Sequence, residues 1–312
     1  MPNVIIPEEE VIMSIKGLYD FEIIDCKFNG KSFHDNYFIT TNKGNYFLRI
    51  YKPNIRSVRD ILYELDFLNF LYSQGLNVSY PILKKDGTIV TEIIKEELNR
   101  VMVLFSFAAG NYPNPTEETS HLYGKYMASF HNIAEKFTSI HERSYKFDID
   151  YIINQSLEII RPALSYRPED LNYFENLSEI MKKKINHLPL SELTWASCHG
   201  DLHFMNQYID KKDITLFDFD CCAPGYLAYD LGTIRWEFAF TDDLWTLFLD
   251  GYTKVREVNN TELSAIPMFA TIRNLWVISH NIKYSDIYEV NDEFWDINMY
   301  HIQKWNKKNN YM

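Results

Sequence analysis

The sequence predicts an α+β chain with a small, sheet-rich N-terminal lobe and a larger helical C-terminal lobe. Three observations carry that expectation. Up to about residue 107 apolar and polar side chains alternate around turn signals, with one helical run among them. After the Pro/Asn-rich break Gly110-Asn111-Tyr112-Pro113-Asn114-Pro115 the apolar spacing becomes helical. Two acidic motifs interrupt the helical part: His199-Gly200-Asp201-Leu202-His203-Phe204-Met205-Asn206 and Leu216-Phe217-Asp218-Phe219-Asp220. The expected division is 1–107 and 108–312, with a link at about 104–110.

Taken in order, the runs 35–41 and 45–51 flank Asn42-Lys43-Gly44, a strong hairpin signal. Ser57-Val58-Arg59-Asp60 has capping-box chemistry. It starts a helix whose apolar residues Val58, Ile61, Leu62, Leu65, Leu68, Leu71 and Tyr72 recur until Gly75 stops it. Strands at 88–94 and 101–107 follow, broken by Lys95-Glu96-Glu97, so the first hundred residues read as strands with one helix. Beyond the break, a helix over 119–137 carries Leu122, Tyr126, Phe130, Ile133 and Phe137 on one face. Further helices are expected at about 150–160, 169–184, 226–257 and 263–308, the last broken near 286–292. Gln207-Tyr208-Ile209 and Ile214-Thr215-Leu216-Phe217, separated by four charged residues, read as a hairpin that brings Asn206 and Asp218 together.

Composition narrows the function classes. A hydrophobic fraction of 46 % with 22 Tyr and 21 Phe argues for packed cores. No apolar run is long enough to span a membrane and the N-terminus soon turns acidic, so a cytoplasmic protein is expected. Cys26, Cys198, Cys221 and Cys222 lack zinc-like spacing and read as free thiols. The net charge of −12 argues against nucleic acid as a partner. Residues 1–110 hold a balance of −2 and residues 111–312 one of −10, a distribution that can steer a cationic ligand or simply solvate the surface.

The two acidic motifs set an Asp, an Asn and a second Asp around one hairpin. Asn206 and Asp218 offer hard oxygens of the kind that suit magnesium, whose other positions go to water and phosphate oxygens. Alternatively, His199, Asp201 and His203 alternate and share a face if extended, which would suit a transition metal. The set as a whole resembles the phosphoryl-transfer loop of kinases.

With the order of lobes, the chain resembles the aminoglycoside phosphotransferase/choline kinase family, small-molecule kinases of protein-kinase-like fold. The resemblance implies that Asp201 is catalytic, that Asn206 and Asp218 hold Mg2+, and that Asp220 and His203 assist. It implies that Asp230, in Tyr229-Asp230-Leu231-Gly232, and His199 support the loop. For ATP it implies Arg49 at a position where the family commonly has Lys, paired with Glu64 on the following helix. It further implies a phosphate loop at Gly30 and Ser32, and a link at Phe105, Ser106 and Phe107 whose backbone meets adenine. Trp236 and Glu237 are candidates for binding a cationic acceptor.

The expected activity is therefore ATP- and Mg2+-dependent phosphorylation of a hydroxyl on a small amine-bearing molecule, an antibiotic first. The alternatives are a metabolic kinase for choline- or homoserine-like amino-alcohols, a stress-response-type Ser/Thr protein kinase, and a degenerate kinase that only binds its ligand.

Overall fold

The computed structural model describes residues 5–30, 33–52, 55–95, 98–285 and 287–312. The chain forms two compact units. The first gathers 1–111, 138–144 and 208–220; the second gathers 112–137, 145–207 and 221–312.

The first unit opens with a helix that alternation in the sequence did not reveal, α1 (Glu8–Ile15). Pro7 precedes a first turn of three glutamates, and only Val11 and Ile15 are fully buried, so the apolar stripe is too short to stand out. Strands β1 (Ile23–Phe28), β2 (Asp35–Thr41) and β3 (Gly44–Ile50) form an antiparallel meander, with Asn36 opposite Arg49. The Thr41 hydroxyl closes the β2–β3 turn, donating to the Gly44 carbonyl at 2.8 Å. Helix α2 (Val58–Ser73) carries the Ser57/Asp60 capping box and buries Ile61, Leu65, Leu68 and Leu71. Val58 and Tyr72, expected in that stripe, lie at its margin and are exposed. Strands β4 (Thr91–Lys95) and β5 (Leu98–Ser106) complete a five-stranded sheet in the order β1-β2-β3-β5-β4. Residue 88 belongs instead to a turn, its backbone N–H donating to Asp86 Oδ1 at 2.9 Å. Tyr37, Ile39, Leu48, Ile50 and Leu104 make the core on one face of this sheet.

The second unit is mainly helical. Helix α3 (Glu117–Ala134) starts at a Thr116/Thr119 capping box. A π-helical turn, Asp150–Gln155, runs into α4 (Ser156–Ala163), and α5 (Pro168–Asn186) follows. Strand β6 (Trp195–Cys198) leads into the first acidic motif. The hairpin β7 (Gln207–Asp210) and β8 (Asp213–Leu216) then takes the chain through the first unit. Strand β9 (Ala223–Tyr226) pairs with β6 and leads into α6 (Leu227–Glu237).

The single helix expected over 226–257 is two, α6 and α7 (Asp242–Thr253). Arg235 satisfies the carbonyl of Phe238 at 2.6 Å where α6 ends, and Asp242-Asp243 provide an acidic first turn for α7. Helices α8 (Asn260–Lys283) and α9 (Asp292–Lys308) close the chain. Helices α3 and α7 cross closely because each presents a glycine. A Cβ on Gly124 would stand 2.0 Å from the Phe248 carbonyl oxygen, and one on Gly251 would stand 2.1 Å from that of His121. Phe147, Phe174, Tyr229, Phe269 and Trp276 belong to the core. Among the described residues no helix is long and apolar enough to cross a membrane.

Candidate active site

The second unit supplies the catalytic-type loop. Asp230 on α6 is fully buried and accepts the backbone N–H groups of His199, at 2.8 Å, and Gly200, at 2.9 Å. Gly200 has φ +86°, and a Cβ there would lie 2.5 Å from the Cys221 carbonyl oxygen, so only glycine makes this turn. The turn delivers Asp201 with its side chain 27 % exposed, open enough to meet a ligand.

Both oxygens of Asp201 are engaged. Oδ1 accepts Arg273 Nη2 at 2.9 Å, and Oδ2 lies 3.2 Å from His203 Nε2 and 3.3 Å from Asn206 Nδ2. His203 Nδ1 accepts the Met205 N–H at 3.1 Å, which puts the ring proton on Nε2 and makes His203 a donor to Asp201. Burial opposes ionisation of Asp201. The His203 hydrogen bond and the nearby charges of His203 and Arg273 outweigh it and hold the carboxyl well below the ordinary range. Asn206 also donates from Nδ2 to the Asp201 carbonyl at 2.9 Å, which turns its Oδ1 away as an acceptor.

Glu237 Oε2 accepts the Phe204 N–H at 3.2 Å, bracing the loop, and the Trp236 ring packs 5.5 Å from Trp305. His131 is a core residue, its Nδ1 2.6 Å from the Tyr252 hydroxyl. The transition-metal alternative has no support: among the described residues no three His, Cys, Asp or Glu side chains converge.

The first unit holds a buried ion network around Arg49 on β3. Its Nη1 donates to Glu64 Oε1 at 3.1 Å and its Nη2 to Asp218 Oδ1 at 2.7 Å. Tyr51 holds the other Glu64 oxygen at 2.9 Å. Asp218 has φ +62° and a side chain 46 % exposed, so a non-glycine residue is kept in the left-handed region with its carboxylate half in solvent. Asp220 does not share its direction. Residues 219–221 form a 3₁₀ turn, which removes the alternation that would have set the two carboxylates side by side. Asp220 is buried instead, accepting Arg56 Nε at 3.0 Å and Nη2 at 2.8 Å, with His34 Nε2 at 3.1 Å. Burial opposes its ionisation, and Arg56 and His34 overcome that, so it stays charged and anchored.

At the link, Leu104 and Ser106 make backbone hydrogen bonds within the first unit. The Leu104 carbonyl accepts the Ile82 N–H at 2.8 Å; Ser106 N–H donates to Tyr80 at 2.8 Å, and its carbonyl accepts the Ser79 hydroxyl at 2.6 Å. Phe105 is buried, its ring 5.6 Å from the Arg49 guanidinium carbon. Phe107 is exposed and, with Phe38 and Phe47, forms an aromatic patch, ring centres 6.3 and 5.5 Å apart. Phe38 is opposite Phe47 in the β2–β3 register, and Phe47 shares a face with Arg49 by alternation. Gly30 has φ +81° beside an Asn29 N–H that donates to the Asn36 carbonyl at 2.7 Å; Ser32 lies outside the described residues. Arg273 had no local signal, because it sits within the apolar spacing of α8.

The phosphotransferase enzyme family (APH) matches residues 25–265. Amicoumacin kinase of Bacillus subtilis (strain 168) is 23 % identical over 305 residues, covering 92 % of this chain and 88 % of that one. A solved amicoumacin kinase, hAmiN in complex with AMP-PNP, Ca2+ and Ami, superposes with a TM-score of 0.80 at 20 % identity, over 97 % of this chain and 94 % of that one. A microcompartment-associated aminopropanol kinase gives 0.77 at 17 % identity, over 95 % and 94 %. These likenesses show a protein-kinase-like fold.

Proposed function

The chain belongs to the phosphotransferase enzyme family, a phosphotransferase with an alcohol group as acceptor, and from that premise we propose that it is an ATP- and Mg2+-dependent kinase of a small amine-bearing molecule, an antibiotic first. The observation that carries the reading is the state of Asp201: anionic, held at both oxygens and reachable. Such a carboxylate accepts the acceptor's hydroxyl and aims its oxygen at the γ-phosphorus. Its low basicity suits proton transfer late in a loose transition state. Arg49, oriented by Glu64, grips nucleotide phosphates with a planar fork. The Phe38, Phe47 and Phe107 rings, packed edge to face, offer an apolar surface to a nucleobase.

Asn206 and Asp218 each carry a hard oxygen of the kind that would suit magnesium, which when bound would neutralise charge on the phosphates. Cys26 and Cys198 are buried thiols outside any disulfide, which suits the reducing, ATP-rich cytoplasm. The fold likeness to an aminopropanol kinase favours a second reading, a kinase of simple amino-alcohols. An ADP-release screen with Mg2+ decides between them, across aminoglycosides, amicoumacin, aminopropanol, choline, homoserine and a generic protein substrate. Turnover with an antibiotic alone supports the first reading, and turnover with small amino-alcohols alone replaces it with the second.

A further inference from the structure

Arg273 reaches the catalytic-type loop from α8, 72 positions away in sequence. It is 8 % exposed, and its Nε is buried with no hydrogen-bond partner among the described residues. A hydrocarbon side chain of similar size would pack there without the desolvation cost of a guanidinium, so the packing of α8 does not account for it. What the guanidinium does make is one contact of consequence, the 2.9 Å hydrogen bond from Nη2 to Asp201 Oδ1.

Oδ2 of the same carboxylate faces His203 and Asn206. With donors on both oxygens, rotation of the carboxylate breaks a hydrogen bond whichever way it turns. Oδ1, with one donor, still keeps a lone pair free for a hydroxyl, whereas Oδ2 already faces two donors. We propose that Arg273 is a positioning residue for phosphoryl transfer, locking the Asp201 carboxylate in the rotamer that meets the acceptor hydroxyl. The inference rests on the kinase reading above. Without Arg273 the carboxylate is held at one oxygen only and samples the reactive alignment less often, an effect on turnover rather than on nucleotide binding.

The test is ADP release with aminopropanol and amicoumacin as acceptors. Arg273→Met is expected to lower kcat roughly 10–100-fold while KM for ATP stays within about twofold. Arg273→Lys should regain part of the loss, because an ammonium can still donate to Oδ1. In an Asp201→Asn background, Arg273→Met should change the residual rate little, since the group it positions is gone. Wild-type kcat in Arg273→Met, a loss confined to KM for ATP, or losses that multiply in the double variant would each overturn the inference. If thermal melting shows that Arg273→Met does not fold, Arg273→Gln is judged by the same criteria. A wild-type protein that releases no ADP with any acceptor in the screen overturns the kinase reading, and this inference with it. That failure is distinct from an active wild type indifferent to Arg273.

Discussion

At the scale of single residues, two carboxyl groups are pushed in opposite directions, and each yields an expectation. Asp201 is kept anionic by His203 and Arg273. Asp201→Asn should leave nucleotide binding nearly intact and lower kcat by roughly two to four orders of magnitude, read by ADP release beside a nucleotide-binding titration. A variant within a few-fold of wild type would remove Asp201 from the chemistry.

Glu64 is buried, and burial pushes its carboxyl from 4.5 up to about 7 against the pull of Arg49. Between those values the folded chain binds more protons at this group than the unfolded chain does. Its contribution to stability is therefore complete below pH 4.5 and is lost as pH rises through about 7. Glu64→Gln removes the titration. Urea midpoints measured across this range should fall less with rising pH in the variant than in wild type, and parallel curves would refute the assignment.

At the scale of elements, what was legible depended on how local the cause was. The β2–β3 hairpin, the Ser57/Asp60 cap and the β7–β8 hairpin are each specified by a few neighbouring residues, and the sequence shows all three. The split between α6 and α7 was missed because Phe238, Ala239 and Phe240 continue an apolar pattern. The break lies in a hydrogen bond from Arg235 that spacing does not encode. The 3₁₀ turn after Asp218 was missed for a similar reason: Arg56, His34 and Arg143 hold Asp220 from distant parts of the chain. Arg273 is the extreme case, a contact to Asp201 from 72 positions away with no pattern around it.

Two element-scale outcomes follow. Ser57→Ala removes the α2 cap and should cost about 0.5–2 kcal/mol in chemical denaturation. Because Glu64 rides on that helix, KM for ATP should rise as well. An unchanged KM would show that α2 does not need its cap to present Glu64. Gly200→Ala forces a side chain into the left-handed region and against a carbonyl oxygen. It should destabilise by roughly 1–3 kcal/mol and abolish most turnover, measured by melting and ADP release.

For the whole molecule, the uneven charge makes a prediction about rate. With −10 of the −12 on residues 111–312, a cationic acceptor would be drawn in through a field that salt screens within about 8 Å at physiological ionic strength. Raising NaCl should lower kcat/KM for a cationic acceptor more than for a neutral hydroxyl analogue, and equal sensitivity would leave the acidic balance as surface solvation. The first unit is also assembled from three separate stretches of chain. A growing polypeptide presents residues 1–111 first, yet Arg49 then lacks Asp218, and the Asp60 carboxylate lacks the Ser144 N–H that reaches it at 2.7 Å. At translation speeds of about 5–20 residues per second, Ser144 emerges a few seconds later and Asp218 on the order of ten seconds later. The nascent first unit therefore waits on the ribosome with its ion network incomplete, and its synthesis cannot end in a finished lobe until about half of the second unit's chain has been made.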